Sequence, residues 1–160
     1  QDMRESKALA YSVYSTYTVP TDADDSHYLM SYIGTQSDKL SDAMVGMTEL
    51  LNVMPEAEAN MNNAKEGIDQ KIRTERLTKS KVLSEYEKAQ KLGVDYDIRK
   101  DVYEGVQSFD MSSLREFHNS HIANGTRVVM VLGSKDDLDL EVLKQYGEIK
   151  HLTLEDVFGY

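Results

Sequence analysis

The sequence predicts an α+β fold, an antiparallel sheet with helices packed on one face. Three observations predict it. Two Tyr-rich segments near the start alternate with a period of two. Several stripes of helical period follow them. A valine-rich run, apolar from Val128 onward, then returns at residues 127–132.

In the first segment Leu9, Tyr11, Val13, Ser15, Tyr17 and Val19 point one way, and Ala10, Ser12, Tyr14, Thr16 and Thr18 the other. That alternation, with Tyr and β-branched residues, is the pattern of a half-buried strand. Pro20, Asp22, Asp24 and Asp25 make a polar turn that cannot extend it. A second aromatic strand carries Tyr28, Met30 and Tyr32 on one face and ends at Gly34-Thr35-Gln36, where Ser37 and Asp38 are placed to cap a helix. Leu40, Met44, Met47, Leu51 and Met54 mark that helix, and Pro55 ends it or opens the next. Glu56 and Glu58 suit the positive end of a second helix, whose stripe is Met61, Ala64, Ile68 and Ile72. After a polar break at Thr78-Lys79-Ser80, Val82, Tyr86 and Ala89 mark a third, with Gly93 as its C-cap. The Met residues of these stripes read as flexible core fillers.

Residues 98–107 read as a short helix. Asp110 caps another, with Leu114, Phe117 and Ile122 on its inner face and Asn124-Gly125 as its stop. Residues 127–132, bounded by Gly133, fit a buried strand. A last short helix over 139–146 stops at Gly147, and 149–152 reads as a short edge strand before a tail.

The 160 residues suffice for a single core-bearing domain over 1–160, and no repeat, low-complexity tract or Pro/Gly/Ser linker divides them. The net charge of -10 leaves no basic footprint for nucleic acid. Its ordinary meaning is solubility; its sharper one is an acidic wall that attracts basic peptides. No apolar run approaches the roughly 20 residues of a membrane helix. The absence of cysteine removes disulfides, thiolate metal sites and a cysteine nucleophile. Gln1-Asp2-Met3 reads like the middle of a longer protein. The compartment is left open, and a periplasmic or secreted location would follow from an upstream signal peptide.

Few residues offer chemistry. His118 and His121 are three apart on a helix, a spacing that lets two imidazoles approach one ion. A catalytic zinc takes three protein ligands, and His27 and His151 are distant in sequence, so the pair reads first as the border of a packed face. Gly133-Ser134-Lys135 lacks the glycine spacing of a phosphate loop. Asp22, Asp24 and Asp25 lack the Gly and terminal Glu of an EF-hand loop, and Asp136-Asp137 sits in a turn-like segment. Tyrosines on the two strands could contact an extended peptide added to a sheet edge; their ordinary role is core or sheet surface.

A set of phrases in order resembles the pitrilysin, or M16, family of zinc peptidases. They are Met3-Arg4-Glu5 ahead of Leu9-Ala10-Tyr11-Ser12, Thr35-Gln36-Ser37-Asp38-Lys39, Leu50-Leu51, Met54-Pro55, Ala64-Lys65 with Ile68, Val128-Val129-Met130-Val131-Leu132-Gly133, and Gly147 through Glu155-Asp156-Val157-Phe158. The resemblance implies an M16-like α/β roll, here lacking its first strands. The family's inverted zinc motif, His-x-x-Glu-His, is absent. The resemblance therefore implies a non-catalytic, C-terminal-type domain that closes a peptide chamber against other M16 domains of the same parent. Zinc would lie in that partner catalytic half, and this chain alone would be inactive. The non-catalytic half of the family lends an Arg and a Tyr to the active site. Tyr28 and Tyr32 lie in the matching region, but no Arg occurs between Arg4 and Arg73. The alternative is a scaffold or peptide-binding module derived from an inactive M16 peptidase.

Overall fold

The computed structural model describes residues 11–160. The expected strand residues Leu9 and Ala10 and the phrase Met3-Arg4-Glu5 lie outside the described residues. The architecture is α+β: among the described residues helix makes up 51% and strand 9%. The strands are β1 (Ser12–Thr18) and β2 (Tyr28–Gly34), paired in a two-stranded antiparallel sheet. A 3-10 turn at Ser37–Lys39 leads into α1 (Leu40–Asn52). Then come α2 (Glu58–Thr74), α3 (Val82–Lys91), α4 (Arg99–Ser108) and α5 (Met111–Phe117). The chain continues through a π-helical turn at His118–Ala123 to α6 (Leu140–Lys144) and α7 (Leu154–Phe158).

The described residues fall into two compact units. The first comprises residues 11–14, Tyr32–Glu49 and Thr126–Tyr160; the second comprises Ser15–Ser31 and Leu50–Gly125.

In the first unit the Tyr11 amide donates to the Gly34 carbonyl at 2.9 Å, which sets the register at the open end of the strands. The stripe predicted for α1 is present. Its deepest points are Leu40 and the small residues Ala43 and Gly46, at a spacing of three, which let neighbouring atoms come close to the helix backbone. Ser37 and Asp38 fall in the 3-10 turn that precedes α1, where the Lys39 amide reaches the Gln36 carbonyl at 3.0 Å; Gln36, at the cap of that turn, makes no side-chain cap bond. Residues 127–132 are not a strand, and they are not buried. Val128, Met130 and Leu132 are 87%, 85% and 102% exposed. An apolar β-branched run specifies a strand only where another strand can pair with it, and the sheet consists of β1 and β2 alone among the described residues. Residues 149–152 form no edge strand for the same reason. The tail instead holds α7. Thr153 and Asp156 close a reciprocal capping box, and Gly159 ends the helix at φ 74°.

In the second unit α2 packs on α4. The seam is more polar than the predicted stripe. Met61, Lys65, Asp69 and Ile72 are the partly covered positions, while Ala64 is exposed and Ile68 is 38% exposed. The polar residues explain the shift. Lys65 Nζ donates to the Phe109 carbonyl at 2.6 Å and the Gln107 carbonyl at 3.3 Å, so a cation sits at the negative end of α4. Asp69 accepts from Arg73 Nε at 2.6 Å and from Gln107 Nε2 at 3.4 Å. Arg73 lies over the Tyr103 ring, 5.4 Å from its centroid, and donates to the Tyr103 hydroxyl at 2.7 Å. On α3 the predicted inner residues Val82 and Tyr86 are both 54% exposed, and only Ala89 is buried. Gly93 is the expected stop: at φ 75° its amide reaches the Gln90 carbonyl and the Val94 amide reaches Ala89, a full Schellman closure. Asp110 caps α5 as predicted, accepting from the Ser113 amide and hydroxyl, both at 2.8 Å.

Candidate functional site

The pleat divides the hairpin side chains into two sets. On β2 burial follows the pleat, with Leu29, Ser31 and Ile33 partly covered and Tyr28, Met30 and Tyr32 exposed; on β1 only Val13 and Thr18 are partly covered.

Within the first unit, Tyr14 and Tyr32 are cross-strand neighbours. Their rings stack with centroids 5.1 Å apart and planes at 22°. The Tyr32 ring lies along its strand towards Gly34: a Cβ at position 34 would stand 3.1 Å from the Tyr32 hydroxyl and 3.5 Å from its ring. Glycine at 34 therefore leaves the room that the ring occupies. With one ring resting on the other, Tyr14 is 49% and Tyr32 47% exposed. Beside this end, Gln36 Nε2 donates to the Tyr11 hydroxyl at 3.4 Å.

Of the predicted contact residues, Tyr32 is thus built into a pair, and its partner Tyr14 was not singled out by sequence. The signal was present in the alternation, because a residue of each strand on the same face must meet across an antiparallel pair. Tyr28 opens β2, on the same face of that strand as Tyr32 by the period of two, and is 57% exposed.

Within the second unit the other face of the hairpin is held. Ser15 and Ser31 bond across the strands at 2.9 Å. The Tyr17 ring meets the Phe117 ring edge-on at 5.9 Å, His27 lies 5.7 Å from Tyr17, and His121 lies 4.9 Å from Phe117. In the turn between the strands, the Ala23 amide donates to the Lys91 carbonyl at 3.0 Å.

His118 and His121 lie on a helical turn of a different type from the one their spacing assumes. The i, i+3 argument assumes an α-helix, and the backbone from His118 onward is π-helical, a wider turn that rotates the two side chains apart. His118 is buried, at 6% exposure, and its Nδ1 makes no hydrogen bond; His121 is exposed and stacks on Phe117. Among the described residues no group of three or more His, Cys, Asp or Glu side chains is placed to hold a metal ion. Among the same residues no helix is long and apolar enough to cross a membrane.

The concavities are small. One of about 260 Å³ is lined by Ile72, Glu75, Asp97, Arg99, Lys100 and Tyr103. Arg99 donates to both carboxylate oxygens of Asp97, which holds that carboxyl below its usual range. The ion pair takes up two of the charged groups of this concavity, whose lining also includes Glu75 and Lys100.

No protein-family model matches the chain, and neither a curated protein nor a solved structure does.

Proposed function

We propose that this chain is the non-catalytic domain of an M16-type zinc metallopeptidase, closing a peptide-binding chamber against a separate zinc-bearing half. Zinc belongs to that half, and this chain supplies contact surface. The observation that carries the reading is the Tyr14–Tyr32 stack, two half-exposed rings that rest on each other. An extended peptide gains backbone hydrogen bonds along a strand edge and apolar contact from flat rings beside it. Tyrosine gives that contact at a low cost in side-chain freedom and carries a hydroxyl that can donate to a peptide carbonyl. The ordered phrases shared with the family and the absence of its zinc motif point the same way.

The test is a two-part assay on the purified chain. A quenched-fluorescent peptide library incubated with the chain and added zinc should show no turnover. The same peptides should shift the ring resonances of Tyr14 and Tyr32. Zinc-dependent hydrolysis by this chain alone overturns the non-catalytic reading, and peptides that leave both rings unmoved overturn the contact surface.

A further inference from the structure

We infer that residues 128–132 are a cleavage site for an endopeptidase with an apolar specificity pocket, and that the bond cut is Met130–Val131. In this role the chain is a substrate, which is independent of its proposed place in a peptide chamber. A peptidase takes its substrate as an extended strand, gripping backbone groups and alternate side chains. It therefore needs successive residues whose amides and carbonyls are not already bonded and whose side chains are within reach. Residues 126–132 have no regular structure, and all of them are exposed. Among the described residues, none of 128–132 takes part in a backbone hydrogen bond, so the run can be drawn straight without breaking one. Val128, Met130 and Leu132 stand almost bare, and no charge interrupts the five.

Other connections are tied down. In the turn between β1 and β2 the Asp25 amide bonds Asp22 and the Ala23 amide bonds Lys91. Between α2 and α3 the Lys81 amide closes a turn on Thr78, and before α6 the Asp137 amide closes one on Ser134. Residues 148–152 are also irregular, but Glu148, Lys150 and His151 interrupt their apolar character and Ile149 is partly covered. Within the run the geometry picks one bond. Leu132–Gly133 is crowded on its far side, since a Cβ at Gly133 would stand 3.2 Å from the Leu138 side chain. Met130–Val131 has exposed, irregular residues on both sides. The unbranched Met130 enters a deep apolar slot more easily than the β-branched valines beside it. Hydrolysis breaks the C–N bond between Met130 and Val131; water supplies a hydroxyl to the Met130 carbonyl carbon and a proton to the Val131 nitrogen. The cut falls beyond Gly125, the last residue of the second unit, so that unit keeps an unbroken chain, while α6 and α7 lie on the other fragment.

The experiment is limited proteolysis of the whole chain with a trace of chymotrypsin, read by intact-mass spectrometry. The pocket of that enzyme is a hydrophobic slot that also takes aromatic rings, and the chain offers it 10 Tyr and 3 Phe. A cut governed by side-chain preference alone would fall beside one of those. The first cut between residue 11 and α7 should instead give the fragments 1–130 and 131–160. Its rate, relative to a free peptide of the same local sequence, should stay level in urea below the unfolding transition, because no opening of the fold is needed. Met130→Asp and Val131→Pro should each slow that cut about tenfold or more. Both should leave Tm unchanged, as surface substitutions do. A first cut elsewhere in that span, no cut at all, a relative rate that climbs with unfolding, or undiminished cleavage of both variants at this bond overturns the proposal.

Discussion

The hairpin carries tyrosines of two kinds. Tyr17 is 42% exposed and Tyr14 49%, so exposure barely separates them. What each ring touches does. Tyr17 meets Phe117 of α5 and His27, so it joins the strand to a helix. Tyr14 meets Tyr32, a residue of its own sheet. Removing Tyr17 would loosen tertiary structure, whereas removing Tyr14 would change a surface. Residue type and accessibility alone would assign the two the same role; strand parity separates them.

The largest expected effect breaks the held side. Phe117→Ala removes the ring on which both Tyr17 and His121 rest, and should cost about 2–3 kcal/mol by denaturant unfolding, somewhat under a fully buried Phe. Tyr14→Ala should cost less than about 1 kcal/mol. Equal costs would erase the distinction between the two sides.

A second substitution acts where the turn is anchored. Gly93→Ala forces a Cβ into φ 75° at the end of α3 and should cost about 1 kcal/mol. The Lys91 carbonyl that receives the Ala23 amide lies two residues away, so exchange of the Ala23 amide should quicken as well.

An acid titration probes the cap beneath Phe117. The Asp110 carboxyl lies below its usual range because the Ser113 amide and hydroxyl donate to it. A depressed folded-state value means that the unfolded chain binds the proton first. The cap therefore contributes stability above the ordinary Asp value of roughly 3.9, and that contribution is lost as pH falls through the folded value. Asp110→Ala should lower Tm at neutral pH and flatten the acid limb of the stability curve. A variant with the parent's acid limb would show that the cap is not coupled to folding.

The smallest effect comes from His118→Leu. It removes a buried Nδ1 that makes no hydrogen bond, so stability should stay level or rise by up to about 1 kcal/mol. A loss of several kcal/mol would mean that the imidazole is held by contacts its other atoms make.

Much of this organisation was legible in the sequence. Alternation located β1 and β2, helical spacing located α1, and Asp110 and Gly93 marked helix ends where their side-chain chemistry places them. The strand expected over 127–132 is not there, because an apolar run reports a preference for pairing and not the presence of a partner. The stripe of α2 was misread at Ala64 and Ile68 because Lys65 and Asp69 look like surface residues until the carbonyls and the guanidinium they engage are in place. For the histidine pair, three-residue spacing carries a meaning only once the helix type is known, and the π-helical turn changes it. Of the contact surface, Tyr32 and Tyr28 were legible by strand, whereas Tyr14 required the register.

The most direct test is a titration of the whole chain with an extended peptide, followed by carbon-13-edited NMR of the tyrosine rings. Tyr14 and Tyr32 should shift together and saturate at one affinity, while Tyr17 stays still as the reference on the held side. If Tyr17 shifts and the Tyr14–Tyr32 pair does not, the division of the hairpin into a held face and a contact face is wrong.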